Sequence, residues 1–311
     1  MDVMTLAFWS TTMAMAVRLS APYLFAGLGG LIAQHSGVYN FALEGMMLGG
    51  AYFGYLGAVT SGSIWMGMLW GVLFGLLAGI ILAYIVIRFG VSQMVISLGM
   101  NTLFMGVTGF AFRLNSANAP VVEKLLPNVD LGFLSEIPII GPMLFKQNLL
   151  VYIIIVLFLL YAWLFRRTTL GLCLRSVGEN PAAAQTAGIN VFRYRYIAVA
   201  ASGVLASLGG AFLTLTQVNR FAENMTGGRG WIAIAAISLG RYDPIGTFFS
   251  CLLFGFATAL SNQLQALNIG IPYRVAMMVP YVLAIIALLG SRSKKSGHGP
   301  AALGKPYLSR R

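Results

Sequence analysis

Glu44 is the only acidic residue between Asp2 and Glu123. A carboxylate inside an apolar run costs about 2.5–3.5 kcal/mol to insert unless it faces protein or water, so its side chain is expected to point into a helix bundle or a wet cavity. Asn40, one helical turn earlier at i and i+4, and the amides Gln93 and Asn101 are its candidate partners. The alternative keeps Glu44 at headgroup level with its carboxylate in water. Asn101 lies in the uncharged run 89–112, where an amide lines a pathway or bonds across helices. Two polar, glycine-bearing stretches share this character: Ser36 to Gly45, which holds Asn40 and Glu44, and Glu223 to Trp231, which holds Asn224 and Arg229. Each leads into an apolar helix. Asn40, Glu44, Asn101, Asn224 and Trp231 are therefore the candidates for lining a polar passage.

Other chemistry has little to work with. Cys173 and Cys251 lie in different blocks without metal spacing, and His35 and His298 are too few for a metal cluster. There is no Ser-His-Asp pattern, no G-x-x-x-x-G-K-[ST] phosphate loop and no dinucleotide fingerprint. Any energy the protein uses must come from elsewhere, and no cofactor is expected on this chain.

The elements that position these residues follow from composition. Of 311 residues, 58% are hydrophobic and 9% charged, where a soluble domain carries about 25% charged. That balance cannot solvate a globule, so the chain is read as an all-α integral membrane protein. The net charge of +12 comes from basic residues between apolar blocks and at one end, which orient spans rather than bind nucleic acid. The first residues lack the positive start and cleavage site of a signal peptide.

Charge-free runs cover 19–43, 45–87, 89–112, 147–165, 196–219, 244–273 and 275–291, and the second must hold two helices with a turn at Thr60 to Ser63. Residues 230–240 are too short to span and read as half of a broken helix. About eight spans, within a range of eight to ten, are expected in one transmembrane domain over 1–291. The basic tail 292–311 is expected to be unstructured. Loop 166–195 carries five basic residues to one acid and the tail six to none, whereas 113–146 is balanced; the first two are expected in the cytoplasm and the third outside. Ser36–Gly45 then lies near the inner face and Glu223–Trp231 near the outer. Polar breaks on opposite faces suggest an inverted repeat whose interrupted helices meet near mid-membrane; the alternative is two ordinary loops.

Within loop 166–195, Glu179-Asn180-Pro181 precedes an alanine run that ends at Gly188. Asn180 suits an N-cap, Pro181 the first helical position and Gly188 a left-handed stop, so a two-turn helix is expected over 181–187. A helix this short is marginal alone and needs a surface to rest on, either a partner or the ends of its own helices.

Ser176 to Ala184 resembles the coupling segment of bacterial ABC-transporter permeases. Gly29 to Met47, Thr186 to Asn190 and Asn224 to Ala233 resemble the permease family that serves branched-chain amino acids, ribose-type sugars and nucleosides. Leu43 to Met47 and Thr226 to Ala233 are nearest its nucleoside or simple-sugar branch. Gln34-His35-Ser36-Gly37 stands where that family usually has Glu-Arg-Ser-Gly, with two fewer charges. The resemblance implies a multi-pass subunit in the bacterial plasma membrane, paired with a like or sister permease and embedded in lipid. It implies an extracytoplasmic binding protein and two cytoplasmic ATPase subunits, which hold ATP and Mg. It further implies that Glu179, Asn180, Pro181, Ala183, Ala184 and Gly188, flanked by Arg175 and Arg193, dock on the ATPase. The cargo would be a nucleoside or simple sugar, with branched-chain amino acids as the alternative. An ion-coupled secondary transporter using Glu44 is the competing class; a structural subunit without a pathway is disfavoured by the polar residues Asn40, Glu44 and Asn101 in otherwise apolar runs.

Overall fold

Long apolar runs with glycine at packing positions can satisfy their backbone in lipid only as helices, and that is how the chain folds. The computed structural model describes residues 6–115, 121–122, 126–130, 141–266, 278, 282–283, 285–286 and 299–307. Its helices are α1 (Leu6–His35), α2 (Leu43–Ser61), α3 (Ile64–Phe89), α4 (Gln93–Asn115), α5 (Leu149–Arg167), α6 (Thr169–Glu179), α7 (Pro181–Thr186), α8 (Val191–Phe212), α9 (Arg229–Leu239) and α10 (Pro244–Ala266). A π-helical turn, Leu213–Val218, prolongs α8. Strands β1 (Asn128–Asp130) and β2 (Lys146–Asn148) pair antiparallel in the loop between α4 and α5, the one departure from an all-α chain among the described residues.

Six described helical stretches are long and apolar enough to cross a membrane. α2 adds a nineteen-residue helix, rich in glycine and largely buried. The run 275–291 lies mostly outside the described residues, as does a large part of 292–311. Three boundaries differ from expectation. α1 starts at Leu6, ahead of the charge-free run 19–43, and continues through Pro22 as one thirty-residue helix, about 45 Å long. α8 starts at Val191, so Arg193 and Arg195 belong to its first turns and not to a loop. Within the tail, residues 299–307 pack on the protein, where a loose end was expected.

The core is built by backbone approach. α2, α3 and α8 meet where glycines face one another: a Cβ at Gly210 would fall 1.7 Å from the Met47 carbonyl oxygen, and one at Gly203 would fall 2.3 Å from that of Gly75. Ser207 donates to the Gly71 carbonyl at 2.6 Å across the same seam. With no hydrophobic force between helix and lipid, such contacts and van der Waals packing hold the spans together. α4 packs on this core by one face only and leaves Leu103, Met105, Val107 and Phe110 exposed.

The two ends of the bundle separate cleanly. At one end, Arg113 at the close of α4 pairs with Glu223 at 2.7 Å, and Val122 bonds to Asn219 at 2.9 Å. At the other, Arg166 pairs with Asp243 at 2.6 Å, and residues 178 and 302 are joined by a backbone bond of 3.0 Å. Arg113 and residues 121–122 therefore share one end with loop 219–228, and the 36–40 connection shares the other with loop 166–195 and the 299–307 segment.

Candidate polar junction and coupling face

The two polar stretches meet. Gly228 takes a left-handed conformation, φ 84°, and opens α9 without a side-chain cap of its own. The Glu44 carboxylate supplies the missing acceptor: Gly228 N–H donates to Oε1 at 2.8 Å and Gly230 N–H to Oε2 at 2.6 Å. A carboxylate at a helix N-terminus satisfies otherwise orphaned donors and complements the helix dipole. A Cβ at Gly230 would come within 2.5 Å of the Glu44 backbone nitrogen, so only glycine permits the approach. Since α9 has eleven residues, the junction lies about 16 Å along its axis from Leu239, near half a bilayer.

Glu44 sits in the first turn of α2, whose start is built by two amides. Asn40 Oδ1 accepts from Ala42 N–H at 2.9 Å, while its Nδ2 donates to Ser202 Oγ at 2.9 Å. Asn101 Oδ1 accepts from Gly45 N–H at 2.7 Å and its Nδ2 donates to the Phe41 carbonyl at 2.8 Å. Asn40 is wholly buried with its amide engaged at both ends, so in this conformation it braces the bundle. Gln93, the other amide considered for Glu44, accepts instead from Tyr39 N–H at 2.6 Å. Glu44 and Asn101 remain half-buried beside Trp231, 41% exposed, whose ring lies 6.4 Å from that of Phe41. Asn224, left-handed at φ 52°, stands farther out and lines a cavity of about 420 Å³ with Thr102, Gly106 and Arg113. The Arg113 hydrogen bonds hold the Glu223 carboxyl below the usual carboxylate range.

The 180–188 segment is built as its residues dictate. Asn180 Oδ1 accepts from Ala183 N–H at 3.0 Å, Pro181 opens α7, the helix ends one residue early at Thr186, and Gly188 is left-handed at φ 84°. Ala183 is exposed, as are Ala182, Gln185 and Thr186. Ala184 faces inward, packed in a small cluster with Val177 and Val191. Arg175 is not free for a partner either, since Nη2 donates to the Phe165 carbonyl at 2.8 Å and its guanidinium lies 4.9 Å above the Phe165 ring. Glu179 accepts from Ala301 N–H at 3.1 Å.

Two buried features were missed at sequence level. His35 closes α1 inside the bundle, stacked 3.9 Å from Phe165, with Nδ1 at 2.6 Å from Tyr161 Oη and Nε2 at 2.7 Å from the Tyr242 carbonyl. It thus ties α1 to α5 and to the turn before α10 with no ion pair. Arg195, read as an orienting surface charge, is 2% exposed and donates from Nε to the Ser36 carbonyl at 3.2 Å. The signal available was that Arg195 stands two residues beyond Arg193, on a different side of the same helix. Among the described residues no group of three or more His, Cys, Asp or Glu gathers to hold a metal.

A family described as the permease component of the branched-chain amino acid transport system matches residues 12–288. The guanosine ABC transporter permease NupQ of Bacillus subtilis is 35% identical over 303 residues, which cover 93% of each chain. The nucleoside ABC transporter permease NupC of Lactococcus lactis is 32% identical over 280 residues, 86% of this chain and 88% of its own. A solved inward-facing structure of a putative metal-chelate type ABC transporter shares the fold, with TM-score 0.53 at 14% identity over 90% of this chain and 85% of that one.

Proposed function

The chain belongs to the permease family of the branched-chain amino acid transport system, and from that premise we propose that it is the membrane subunit of an ABC importer that carries a nucleoside. It works as a transport subunit, and ATP hydrolysis takes place on two cytoplasmic ATPase chains that bind ATP and Mg. A second permease chain completes the passage and an extracytoplasmic binding protein delivers the cargo. Nucleoside is preferred to simple sugar or branched-chain amino acid because two relatives, 35% and 32% identical over 93% and 86% of this chain, are guanosine and nucleoside permeases.

The observation that carries the mechanism is α7: capped by Asn180, stopped by Gly188, and presenting Ala182, Ala183 and Gln185 to solvent. A two-turn helix with small exposed side chains lets another surface come close, and it stands at the same end as the arginine-rich α5–α6 turn, the end assigned to the cytoplasm. At the junction, Glu44 holds the start of α9 while Asn101 holds the start of α2. The exposed face beside them, with Trp231, Thr102 and Asn224, is the stretch assigned to the pathway. An ion-coupled transporter would need Glu44 to exchange its partners with a cation, whereas both its oxygens are occupied by backbone N–H groups.

Reconstitution in proteoliposomes tests this reading. With the ATPase, binding protein and ATP present, labelled guanosine should accumulate, and ribose and leucine should not compete. Uptake that runs on an ion gradient without the ATPase would refute it.

A further inference from the structure

Residues 299–307 end the described chain, yet they are anchored at five places. Ala302 N–H donates to the Gly178 carbonyl at 3.0 Å and Ala301 N–H to Glu179 Oε2 at 3.1 Å, both at the end of α6. Gly304 N–H donates to the Gly37 carbonyl at 3.2 Å, in the connection that leads to Asn40 and Glu44. The Tyr307 hydroxyl donates to Gln185 Oε1 on α7 itself. The Tyr307 ring lies 6.0 Å from Phe192 and 5.8 Å from the Arg195 guanidinium, on the first turns of α8. Gly299 abuts the ring of Tyr242, in the turn before α10.

These contacts matter because α7 has little else. It is six residues long, and its own packing is the small cluster of Ala184 with Val177 and Val191. Helices of this length do not persist alone, so their position is whatever tertiary contacts dictate. Arg195 sits at the centre of the arrangement: it reaches the Ser36 carbonyl from one side and faces Tyr307 from the other, and a Cβ at Gly37 would come within 2.9 Å of its Nη2. One short segment therefore joins the docking helix to the connection that carries the start of α2.

We propose that residues 299–307 form a strap that positions α7 on the inner ends of α1 and α8, so that displacement of α7 by the ATPase moves the Gly37–Asn40 connection with it. Tyr307 is its key positioning residue. This inference rests on the assignment of α7 as the docking helix. Without the strap, α7 still offers Ala183 and its neighbours to the ATPase but slips relative to the spans, and hydrolysis runs without import.

The full transporter in proteoliposomes, measured for solute imported per ATP hydrolysed, provides the test. That ratio is insensitive to how much protein inserts, so a loss of folded material alone leaves it unchanged. Truncation after residue 298 should retain the ATPase on co-purification while the ratio falls about fivefold or more, the lower bound typical of coupling between sites. Tyr307→Ala should reproduce most of that fall. Tyr307→Phe, which keeps the ring against Arg195 but loses the bond to Gln185, should lie between Tyr307→Ala and the parent; these point variants carry the test if the truncated chain does not fold. A parental ratio in Tyr307→Ala overturns the proposal. Loss of the ATPase from the truncated permease also overturns it, because the segment would then be docking surface and not strap. Ala183→Arg run in parallel separates the two readings: if it assembles and transports normally, the α7 assignment fails whatever the strap variants do.

Discussion

Replacing Glu44 by Gln leaves one oxygen to accept from the α9 backbone and turns the other into an amino group that faces an N–H. In the parent, Gly228 and Gly230 donate to the two carboxylate oxygens at 2.8 and 2.6 Å, and Gly230 is buried. Loss of one hydrogen bond to a charged group costs about 1.5–3 kcal/mol, and removal of negative charge from a partly buried helix N-terminus adds about 0.3–1 kcal/mol. Glu44→Gln is therefore expected to destabilise the permease by about 2–4 kcal/mol, and Glu44→Ala, which orphans both donors, by about 3–6 kcal/mol. In detergent the first should lower the melting temperature by roughly 4–10 °C. Hydrogen exchange should quicken at the amides of 228–232 and remain parental in α3. If Glu44→Gln melted and exchanged like the parent yet no longer transported, the carboxylate would be a pathway group and the capping argument would be wrong.

The remaining predictions address the coupling face, the outer loop and the packing seam. Ala183→Arg places a long cation on the exposed side of α7, so the permease should insert normally but co-purify poorly with its ATPase and fail to stimulate hydrolysis. Asn180→Ala removes the acceptor for Ala183 N–H and should loosen α7 by about 0.5–2 kcal/mol, read as faster exchange over 181–187 with milder loss of coupling. The Glu223 carboxyl is held low by Arg113, so its contribution is fully present above the ordinary carboxylate range and fades as pH falls through its depressed value. The parent should accordingly melt higher than Glu223→Gln at neutral pH, and the difference should close in acid. Gly210→Ala forces a methyl onto the Met47 carbonyl and should cost about 1–3 kcal/mol or more, whereas Gly99→Ala, with nothing within 4 Å, should melt no lower than the parent.

Legibility followed the range of the forces involved. α7 could be read because its cap, its first-turn proline and its left-handed stop act within nine residues, and each is a property of a residue type: Asn180 accepts, Pro181 needs no N–H partner, Gly188 tolerates φ 84°. The spans were legible because lipid imposes length and apolarity on any helix that crosses it, and the half-helix at 229–239 was legible because eleven residues do not reach. The candidate residues were sought in Ser36–Gly45, in Glu223–Trp231 and at Asn101, and the fold brings the two stretches together, but which partners they bond was not legible. Glu44 and Gly230 are 186 positions apart and Asn40 and Ser202 are 162 apart. Whether a buried polar group lines a passage or caps a helix depends on which donors arrive from across the bundle. The same holds for Arg195, which charge counting placed in water and the fold places under Tyr307, and for Ala184, whose inward face was set by Val177 and Val191. Composition, periodicity and capping thus determined that this is a helical membrane protein with an exposed capped helix between two spans. Which carboxylate, amide and tail residues hold its broken helices in place was decided only by tertiary packing, because a hydrogen-bond partner is chosen by proximity in space, and no local pattern of residues encodes that.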